Sequence, residues 1–320
     1  MPWLKSRRQV PYGRGDDPMS YQIEEEKIFN SGHAACPGCS EALALRFILN
    51  TLGSDSIAVV PPSCIAIISG PQPLSSMRIP VYQTTLESSA ASAAGIKRAL
   101  VSKGNHHTTV VAIAGDGGTY DIGFQALSGA AERGEDIIYI CLDNEGYMNT
   151  GSQKSSATPS LAYTTSTPAG KLTPKKNIAE IMAAHRIPYM ATAATGYPDD
   201  LARKVARAKE IKGGLRFILV LTPCLSGWGL PDKAGPKTTR LAVESGVFPL
   251  YEVENGENYT LNHGPSGRSV ADYLSGQKRF RHLSGGDVDL IQKEVDRNWE
   301  RLEAKVQPSL SRVGRLKECL

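Results

Sequence analysis

One stretch of the sequence, residues 113–149, constrains the fold of this chain more than any other. An apolar run over residues 110–114 leads into a glycine-rich turn and a helix-like segment, and a second apolar run over residues 137–142 ends at Asp143 and Asn144. This order predicts a strand, a helix and a second, parallel strand. In an open α/β sheet, ligands bind at the carboxyl ends of such strands. The stretch therefore predicts an α/β fold with a mostly parallel sheet, helices on both faces and a ligand site at one edge.

The glycine-rich turn carries groups suited to a metal-bound diphosphate. It reads Gly115, Asp116, Gly117 and Gly118. Glycines allow backbone amides to approach a phosphate at a helix N-terminus. Asp116 and Asn144 supply hard oxygen ligands of the kind that Mg2+ prefers. Together these residues predict a pyrophosphate that is held through a divalent metal ion.

Composition and charge narrow the class of protein. The chain has 320 residues, of which 41% are hydrophobic and 21% charged, as in ordinary soluble globular proteins. No apolar stretch approaches the ~20 residues that cross a bilayer, and the N-terminal residues lack the apolar core of a signal peptide. The net charge of +4 is scattered rather than gathered into a basic face with aromatic residues. We expect a cytoplasmic protein that binds neither membranes nor nucleic acid.

Two of the six cysteines form a C-x-x-C pair at the start of a helix. Cys36 and Cys39 precede a segment with apolar residues at helical spacing, so both lie in a helix N-terminal turn, where the helix dipole favours thiolate. The pair alone has three readings: metal or cluster ligands, a thioredoxin-like dithiol, or buried thiols without chemistry.

Two further cysteines follow apolar runs elsewhere in the chain. Cys64 comes after the run that ends at residue 61, and Cys224 follows the run over residues 217–221. Delivery of cysteines to one edge of a sheet from separate strand ends favours a site with four thiolates. Such a site binds zinc or an iron–sulfur cluster, and the spacing does not choose between them. Cys141, inside an apolar strand, is predicted to be a packing residue, and Cys319 a free surface thiol.

The remaining segments predict three parts: an N-terminal arm over residues 1–30, a main domain over residues 31–254, and a C-terminal extension over residues 255–320 that serves subunit contacts. The sequence predicts helices over residues 177–184, 198–211 and 240–246, a strand over 249–254, a turn-rich connection over 255–262 and a charged amphipathic helix over 287–306. The Gly-, Ser- and Thr-rich residues 145–159 predict a functional loop. Glu87, in a run of small residues, is expected to cap a helix or lie at an interface rather than act as a catalytic carboxylate.

The combination of motifs resembles a known family. The glycine turn followed by Asn144 is similar to the pyrophosphate-binding motif of thiamine diphosphate enzymes. With CPGC, Cys64, the loop YMNTGSQKSSATP and Cys224, it closely resembles the beta subunit of 2-oxoacid:ferredoxin oxidoreductases, in particular the pyruvate:ferredoxin oxidoreductase (pyruvate synthase) family. The resemblance covers residues 32–254 and implies a thiamine diphosphate-binding fold of the pyrophosphate-binding type.

The resemblance also implies a set of site residues. Magnesium would be bound by the carboxylate of Asp116, the side-chain oxygen of Asn144 and the backbone carbonyl of Gly146, while Gly115, Gly117 and Gly118 let amides reach the diphosphate. One [4Fe-4S] cluster would be held by Cys36, Cys39, Cys64 and Cys224. Glu41, Tyr147, Met148 and Asn149 match positions at the cofactor. Asn149 would face the reacting carbon, where an amide donor can stabilise oxyanion charge.

The activity that the resemblance implies is oxidative decarboxylation of a 2-oxoacid. Pyruvate and coenzyme A would give acyl-CoA and CO2, with electrons passed to ferredoxin. Alternatives within this class are 2-oxoisovalerate, an arylpyruvate, 2-oxoglutarate, or oxalate without coenzyme A, because residues 62–80 differ from the aromatic-rich version of the pyruvate enzymes. An alternative of another class is a non-catalytic scaffold subunit with zinc, against which Asp116, Asn144 and Asn149 argue.

The resemblance implies partner subunits as well. An alpha subunit would carry the pyrimidine-binding domain and the glutamate that activates the cofactor. The onward electron carriers would be a ferredoxin-like cluster subunit and ferredoxin, because the ferredoxin cysteine run is not seen here. A gamma subunit completes the expected complex. We expect this chain to be inactive alone.

Overall fold

A computed structural model describes the backbone of residues 28–318 and the side chains of residues 28–306. Nearly all of the predicted N-terminal arm and the predicted surface thiol of Cys319 lie outside the described residues. The strands are β1 (Ser56–Val60), β2 (Val81–Gln83), β3 (Thr109–Gly115), β4 (Ile138–Asp143), β5 (Tyr189–Ala194), β6 (Arg216–Leu221), β7 (Leu250–Glu254) and β8 (Asn258–His263).

The α-helices alternate with the strands along most of the chain. They are α1 (Ser40–Leu52), α2 (Cys64–Ser69), α3 (Ser89–Ser102), α4 (Phe124–Glu132), α5 (Ile178–Ala184), α6 (Pro198–Glu210), α7 (Leu225–Trp228), α8 (Gly235–Glu244), α9 (Val270–Ser275) and α10 (Gly285–Glu318). A π-helix covers Gly117–Ile122, and a 3-10 helix covers Lys278–Phe280. In the described part of the chain, no helix has the length and apolarity needed to cross a membrane.

The strands form one eight-stranded sheet in the order β2-β1-β3-β4-β6-β5-β7-β8. The first six strands in that order run parallel, whereas β7 pairs antiparallel with β5 and with β8. Strands β4, β5 and β6 are buried at every residue. Continuous apolar strands of this kind are expected where helices cover both faces. The predicted α/β class with a mostly parallel sheet is confirmed.

Two hydrophobic clusters flank the sheet, one on each face. Successive residues of β3 alternate between them: Val110 and Ala112 belong to one cluster, and Val111 and Ile113 to the other. Helices α1, α2 and α6 cover the second face, and α3, α4, α5 and the helices from α8 onward cover the first. The alternation follows from the two-residue period of a strand.

The prediction of a turn-rich connection over residues 255–262 was wrong. The chain turns at Asn255 and Gly256, which have φ of 54° and 69°, and continues as β8, the last strand of the sheet. This strand is mostly polar, because an edge strand is held by hydrogen bonds to one neighbour and buries little side-chain surface. Its sequence therefore lacks the apolar run used to predict strands. The boundary proposed at residue 254 falls between two strands of one sheet.

Candidate functional site

The carboxyl ends of β3, β4 and β6 meet at one edge of the sheet, beside the start of α1 and α2. Gly115, the last residue of β3, is in register with Leu142 near the end of β4. This register brings the glycine turn beside the Asp143–Asn144 end of the neighbouring strand. A cavity of about 220 Å3 opens at this edge, and it is lined in part by Cys36, Cys39, Glu41, Cys64, Asn144, Thr222 and Cys224.

Asp116 is buried, and only one of its two carboxylate oxygens has a hydrogen-bond partner. Its Oδ2 accepts a hydrogen bond from Ser155 Oγ at 2.5 Å, whereas its Oδ1 has no hydrogen-bond partner. Burial, followed by the charge of Asp143, holds the pKa of the Asp116 carboxyl well above its usual range. A buried carboxylate is costly unless a positive charge compensates it. The free oxygen of Asp116 thus fits a cation ligand.

Asn144 offers a second unused oxygen on the adjacent strand end. Its Nδ2 donates to Glu41 Oε1 at 2.6 Å, which leaves Oδ1 buried and without a partner. Glu41 lies in the first turn of α1, and its other oxygen, Oε2, is also unpaired. Burial, opposed by the Asn144 hydrogen bond, raises the pKa of Glu41 to about 7. The Asp116 and Asn144 oxygens match the donor set of a hard divalent ion.

The loop after Asn144 packs against the glycine turn. A Cβ on Gly117 would lie 2.3 Å from the ring of Tyr147, so only glycine fits there. Tyr147 donates its hydroxyl hydrogen to Asp121 Oδ2 at 2.8 Å. Gly146 is buried, and a Cβ on it would lie 3.0 Å from the Cε of Met148. These contacts hold the loop that follows Asn144 over the glycine turn.

The four cysteines predicted to act together all line the cavity. Cys36 and Cys39 lie in the turn before α1, Cys64 begins α2, and Cys224 precedes α7. All four are free thiols, and so is Cys141, whose side chain is buried in β4 as a packing residue. The structure thus gathers residues from three separate segments.

The N-terminal amides of α1 favour thiolate at Cys39, as expected, but burial outweighs them. Burial, followed by the charge of Glu41, raises the pKa of the Cys39 thiol to about 11, although backbone amides of α1 act in the opposite direction. Burial, then the charge of Glu41, also raises the pKa of Cys64. Desolvation exceeds the partial charge at the helix end. Thiolates here would require a nearby cation.

Within residues 28–306, no group of three or more His, Cys, Asp or Glu side chains is arranged to hold a single metal ion. Zinc gathers its four thiolates around one atom at about 2.3 Å each. An iron–sulfur cluster places each thiolate on a different iron and therefore spreads the sulfur atoms further apart. The four cysteines that line the cavity are of the residue type that both groups use as ligands.

Asn149 and Glu87 lie at the exposed side of this edge. Cys64 Sγ donates to Asn149 Oδ1 at 3.1 Å, which joins the loop to a cysteine. Glu87 is exposed, accepts a hydrogen bond from Thr85 Oγ1 at 2.9 Å, and precedes α3 without capping it. Asn149 therefore lies beside the cavity, and the described hydrogen bond of the Glu87 side chain is the one from Thr85.

Comparison with known proteins identifies the family. The model of the thiamine pyrophosphate enzyme C-terminal TPP binding domain matches residues 66–220. Pyruvate synthase subunit PorB of Methanocaldococcus jannaschii is 48% identical over 86% of this chain and 96% of its own length. This chain belongs to the family of 2-oxoacid:ferredoxin oxidoreductase beta subunits.

The names of further similar proteins refer to more than one 2-oxoacid. PorB of Methanothermobacter thermautotrophicus is 47% identical over 86% of this chain and 97% of its own length. Ketoisovalerate oxidoreductase subunit VorB of Pyrococcus abyssi is 43% identical over 87% of this chain and 93% of its own length. A solved 2-oxoglutarate:ferredoxin oxidoreductase from Magnetococcus marinus aligns with a TM-score of 0.54 and 22% identity, covering 64% of this chain and 70% of that one. The thiamine diphosphate-binding fold is confirmed.

For this beta-subunit family member, sequence reasoning missed a buried ionic network behind Asn144. Lys175 donates to Asp143 Oδ2 and to Glu145 Oε1, each at 2.7 Å, and Arg279 donates to Glu145 Oε2 at 2.6 Å. The charges of Lys175 and then Arg279 outweigh burial and lower the pKa of Glu145. The residues that flank Asn144 on both sides are thereby fixed. The sequence contained only a weak signal, the two acidic residues around Asn144.

Proposed function

We propose that this chain is the thiamine diphosphate- and [4Fe-4S]-binding subunit of an enzyme that oxidatively decarboxylates a 2-oxoacid. The substrate is pyruvate, which reacts with coenzyme A to give acyl-CoA and CO2, and the electrons pass to ferredoxin. The observation that carries this proposal is the pair of buried, unpaired oxygens, Asp116 Oδ1 and Asn144 Oδ1, next to the glycine turn. When bound, thiamine diphosphate supplies an electron sink for loss of CO2, and a cluster supplies a one-electron acceptor.

The residues of the turn and loop hold the cofactor. Asp116 and Asn144, together with the backbone carbonyl of Gly146, bind Mg2+, and the glycines at 115, 117 and 118 let backbone amides reach the diphosphate. Glu41 orients the Asn144 amide through its hydrogen bond of 2.6 Å, so that Asn144 Oδ1 is directed to the cation. Tyr147 and Met148 keep the loop closed over the turn. The metal-binding roles of Asp116 and Asn144 agree with their buried oxygens that have no hydrogen-bond partner.

Asn149 is the residue that we place at the reacting atoms. Its side chain is exposed at the cavity edge and contacts Cys64 through Oδ1. The carboxamide nitrogen of Asn149 carries two N–H donors. A fixed N–H donor can stabilise the negative charge that develops on a substrate oxygen.

Cys36, Cys39, Cys64 and Cys224 hold the cluster. Their positions around one cavity support this assignment. Because burial raises the pKa of Cys39 and Cys64, cationic iron would be needed to keep both as thiolates. Unpaired thiols also need a reducing compartment, which supports a cytoplasmic location.

Two substrates have specific support. Pyruvate is favoured by relatives named pyruvate synthase subunits at 48% and 47% identity. The second candidate is 2-oxoisovalerate, on the strength of the ketoisovalerate oxidoreductase relative at 43%. Because these sequence identities are similar, sequence identity favours pyruvate over 2-oxoisovalerate only slightly.

We propose that the chain works in a complex. The partners are an alpha subunit with the pyrimidine-binding domain, a gamma subunit, a ferredoxin-like cluster subunit and ferredoxin. The names of the relatives as subunits support an assembly. Residues 255–320 provide subunit contacts. Alone, the chain is inactive, because the activating glutamate comes from the alpha subunit.

The test is anaerobic co-purification of the chain with its partner subunits, followed by a panel of 2-oxoacids with coenzyme A and a viologen dye. We expect the highest kcat/KM with pyruvate and strict dependence on coenzyme A and thiamine diphosphate. Preference for 2-oxoisovalerate would select the second candidate. Turnover of oxalate without coenzyme A would overturn the assignment.

A further inference from the structure

Trp228 links two segments. One is the turn that begins at Cys224, called the Cys224 turn, and the other is the loop that follows Asn144, called the metal-binding loop because it is proposed to bind Mg2+. Its side chain is fully buried, and its Nε1 donates to the backbone carbonyl of Asn144 at 2.7 Å. Trp228 ends α7, and its own backbone amide donates to the carbonyl of Cys224 at 2.9 Å. One residue therefore bonds both to a proposed cluster ligand and to a proposed metal ligand.

Arg279 holds Trp228 from the other side. The guanidinium carbon lies 3.5 Å from the centroid of the indole ring, in the geometry of a cation–π contact. The same guanidinium donates to Glu145 Oε2 at 2.6 Å, and both side chains are at least 96% buried. Arg279 thus fixes the indole and the residue after Asn144 together. It comes from the 3-10 helix Lys278–Phe280, far along the chain from both.

Met148 makes a second contact between the same two segments. A Cβ on Gly227 would lie 2.3 Å from Met148 Sδ, and a Cβ on Gly146 would lie 3.0 Å from Met148 Cε. The thioether therefore packs between the metal-binding loop and the Cys224 turn, at two positions where a side chain would displace it. Hydrogen bonding, ring stacking and packing all act between the same two segments.

We propose that Trp228, held by Arg279, is a positioning residue that locks the metal-binding loop to the Cys224 turn. This inference rests on the proposed function. Asn144 is anchored at its carbonyl by Trp228, at its amide by Glu41, and through its neighbours by Lys175 and Arg279. Its remaining oxygen is then fixed before the cation arrives, so less ordering is required on binding.

The test uses the assembled, anaerobically purified complex and compares Trp228→Phe with Trp299→Phe. The second change is a matched control, because Trp299 is also buried and donates its indole N–H to a backbone carbonyl, Gly246 O, at 2.6 Å, yet it lines no part of the cavity. The measurements are the Kd of thiamine diphosphate at saturating Mg2+, the Kd of Mg2+ at saturating thiamine diphosphate, the iron content and the Tm.

Trp228→Phe should weaken both binding steps by about twofold to tenfold, the effect of one lost neutral hydrogen bond, while iron content is retained. Trp299→Phe should lower Tm comparably and leave both Kd values unchanged. Arg279→Lys should also weaken binding, and its effect combined with Trp228→Phe should be smaller than the product of the single effects, because both act on one loop.

The inference is overturned if Trp228→Phe leaves both Kd values unchanged, if Trp299→Phe raises them equally, or if the Trp228 and Arg279 effects multiply. Failure of the wild-type complex to bind thiamine diphosphate would instead overturn the proposed function, so the two failures are distinguishable.

Discussion

At the residue scale, the site is defined by polar groups that the fold buries and leaves half satisfied. Asp116 and Asn144 each use one side-chain atom in a hydrogen bond and leave one oxygen unpaired. Such groups destabilise the folded chain unless a ligand completes them. Their position at adjacent strand ends, beside a turn in which only glycine fits at residue 117, is the strongest structural support for a metal-bound diphosphate.

Asp116→Ala should abolish retention of thiamine diphosphate and leave the iron content intact. Removal of a residue that hydrogen-bonds to a metal ligand typically lowers metal affinity by about 10–100-fold, and removal of the ligand itself should lower it further. The measurement is cofactor and iron content of the purified complex. Asp199→Ala, at an exposed position in the first turn of α6, is the control and should change neither. Joint loss of both cofactors in Asp116→Ala would mean that the two sites are not separable as described.

Asn149→Ala should lower kcat by about 10²–10³-fold, as removal of one oxyanion donor does in other enzymes. The Kd of thiamine diphosphate should stay near the wild-type value, because Asn149 is not a metal ligand in this account. Steady-state kinetics and a binding titration measure the two effects. Thr150→Ala changes the neighbouring exposed residue. Because no oxyanion donor is lost, kcat should stay within about twofold of the wild-type value. An unaltered kcat in Asn149→Ala would exclude the proposed role.

At the element scale, the last two strands depend on a buried carboxylate. Glu252 of β7 accepts hydrogen bonds from Tyr189 of β5 at 2.5 Å and from Asn262 of β8 at 2.8 Å, and forms an ion pair with Arg203 of α6 at 2.8 Å. Burial raises its pKa, but the bonds from Arg203 and Tyr189 outweigh burial, and the net pKa lies below its usual value. Four elements are thus joined at one side chain.

Glu252→Gln should reduce the free energy of unfolding near neutral pH by about 2–3 kcal/mol, the typical contribution of charged hydrogen bonds. Because the folded-state pKa is depressed, this stabilisation is present above the unfolded pKa of about 4.3 and is lost as pH falls through the lower folded value. Denaturant unfolding at a series of pH values should show the two proteins converging in acid. Glu254→Gln, whose side chain is 42% exposed, should have little effect at any pH. A difference that grows in acid would contradict this sign.

The sequence predicted the parts of the fold that depend on local pattern and missed those that depend on long-range pairing. Buried apolar strands and the glycine turn are local features, so β3, β4 and the cavity edge were predicted. Strand β8 was missed because a polar edge strand has no apolar run. Arg279 was missed because nothing in its neighbourhood indicates that it reaches Glu145, which lies 134 positions earlier in the sequence. The raised pKa of Cys39 was missed because burial depends on the whole fold.

At the scale of the whole molecule, the proposed function requires two cofactors at one edge of a single sheet. The glycine turn and the loop after Asn144 would hold the diphosphate, and the four cysteines line a cavity that Asn144 also lines. Trp228 and Arg279 join the two regions. In this proposal the chain supplies a half-site with an electron outlet beside it, and an alpha subunit supplies the other half.

Metal analysis and visible spectroscopy of this full chain, purified anaerobically without its partner subunits, decide whether the cysteine cavity holds an iron–sulfur cluster. The partners are left out because the ferredoxin-like cluster subunit would contribute iron and colour of its own. The samples should be the wild type and a Cys64→Ser variant, with Cys141→Ser as the control in the packing position. We expect iron and acid-labile sulfide in equal amounts and a brown absorbance that dithionite bleaches, all reduced in Cys64→Ser and retained in Cys141→Ser. A colourless chain that contains zinc and no iron would show that the cysteines do not hold a cluster.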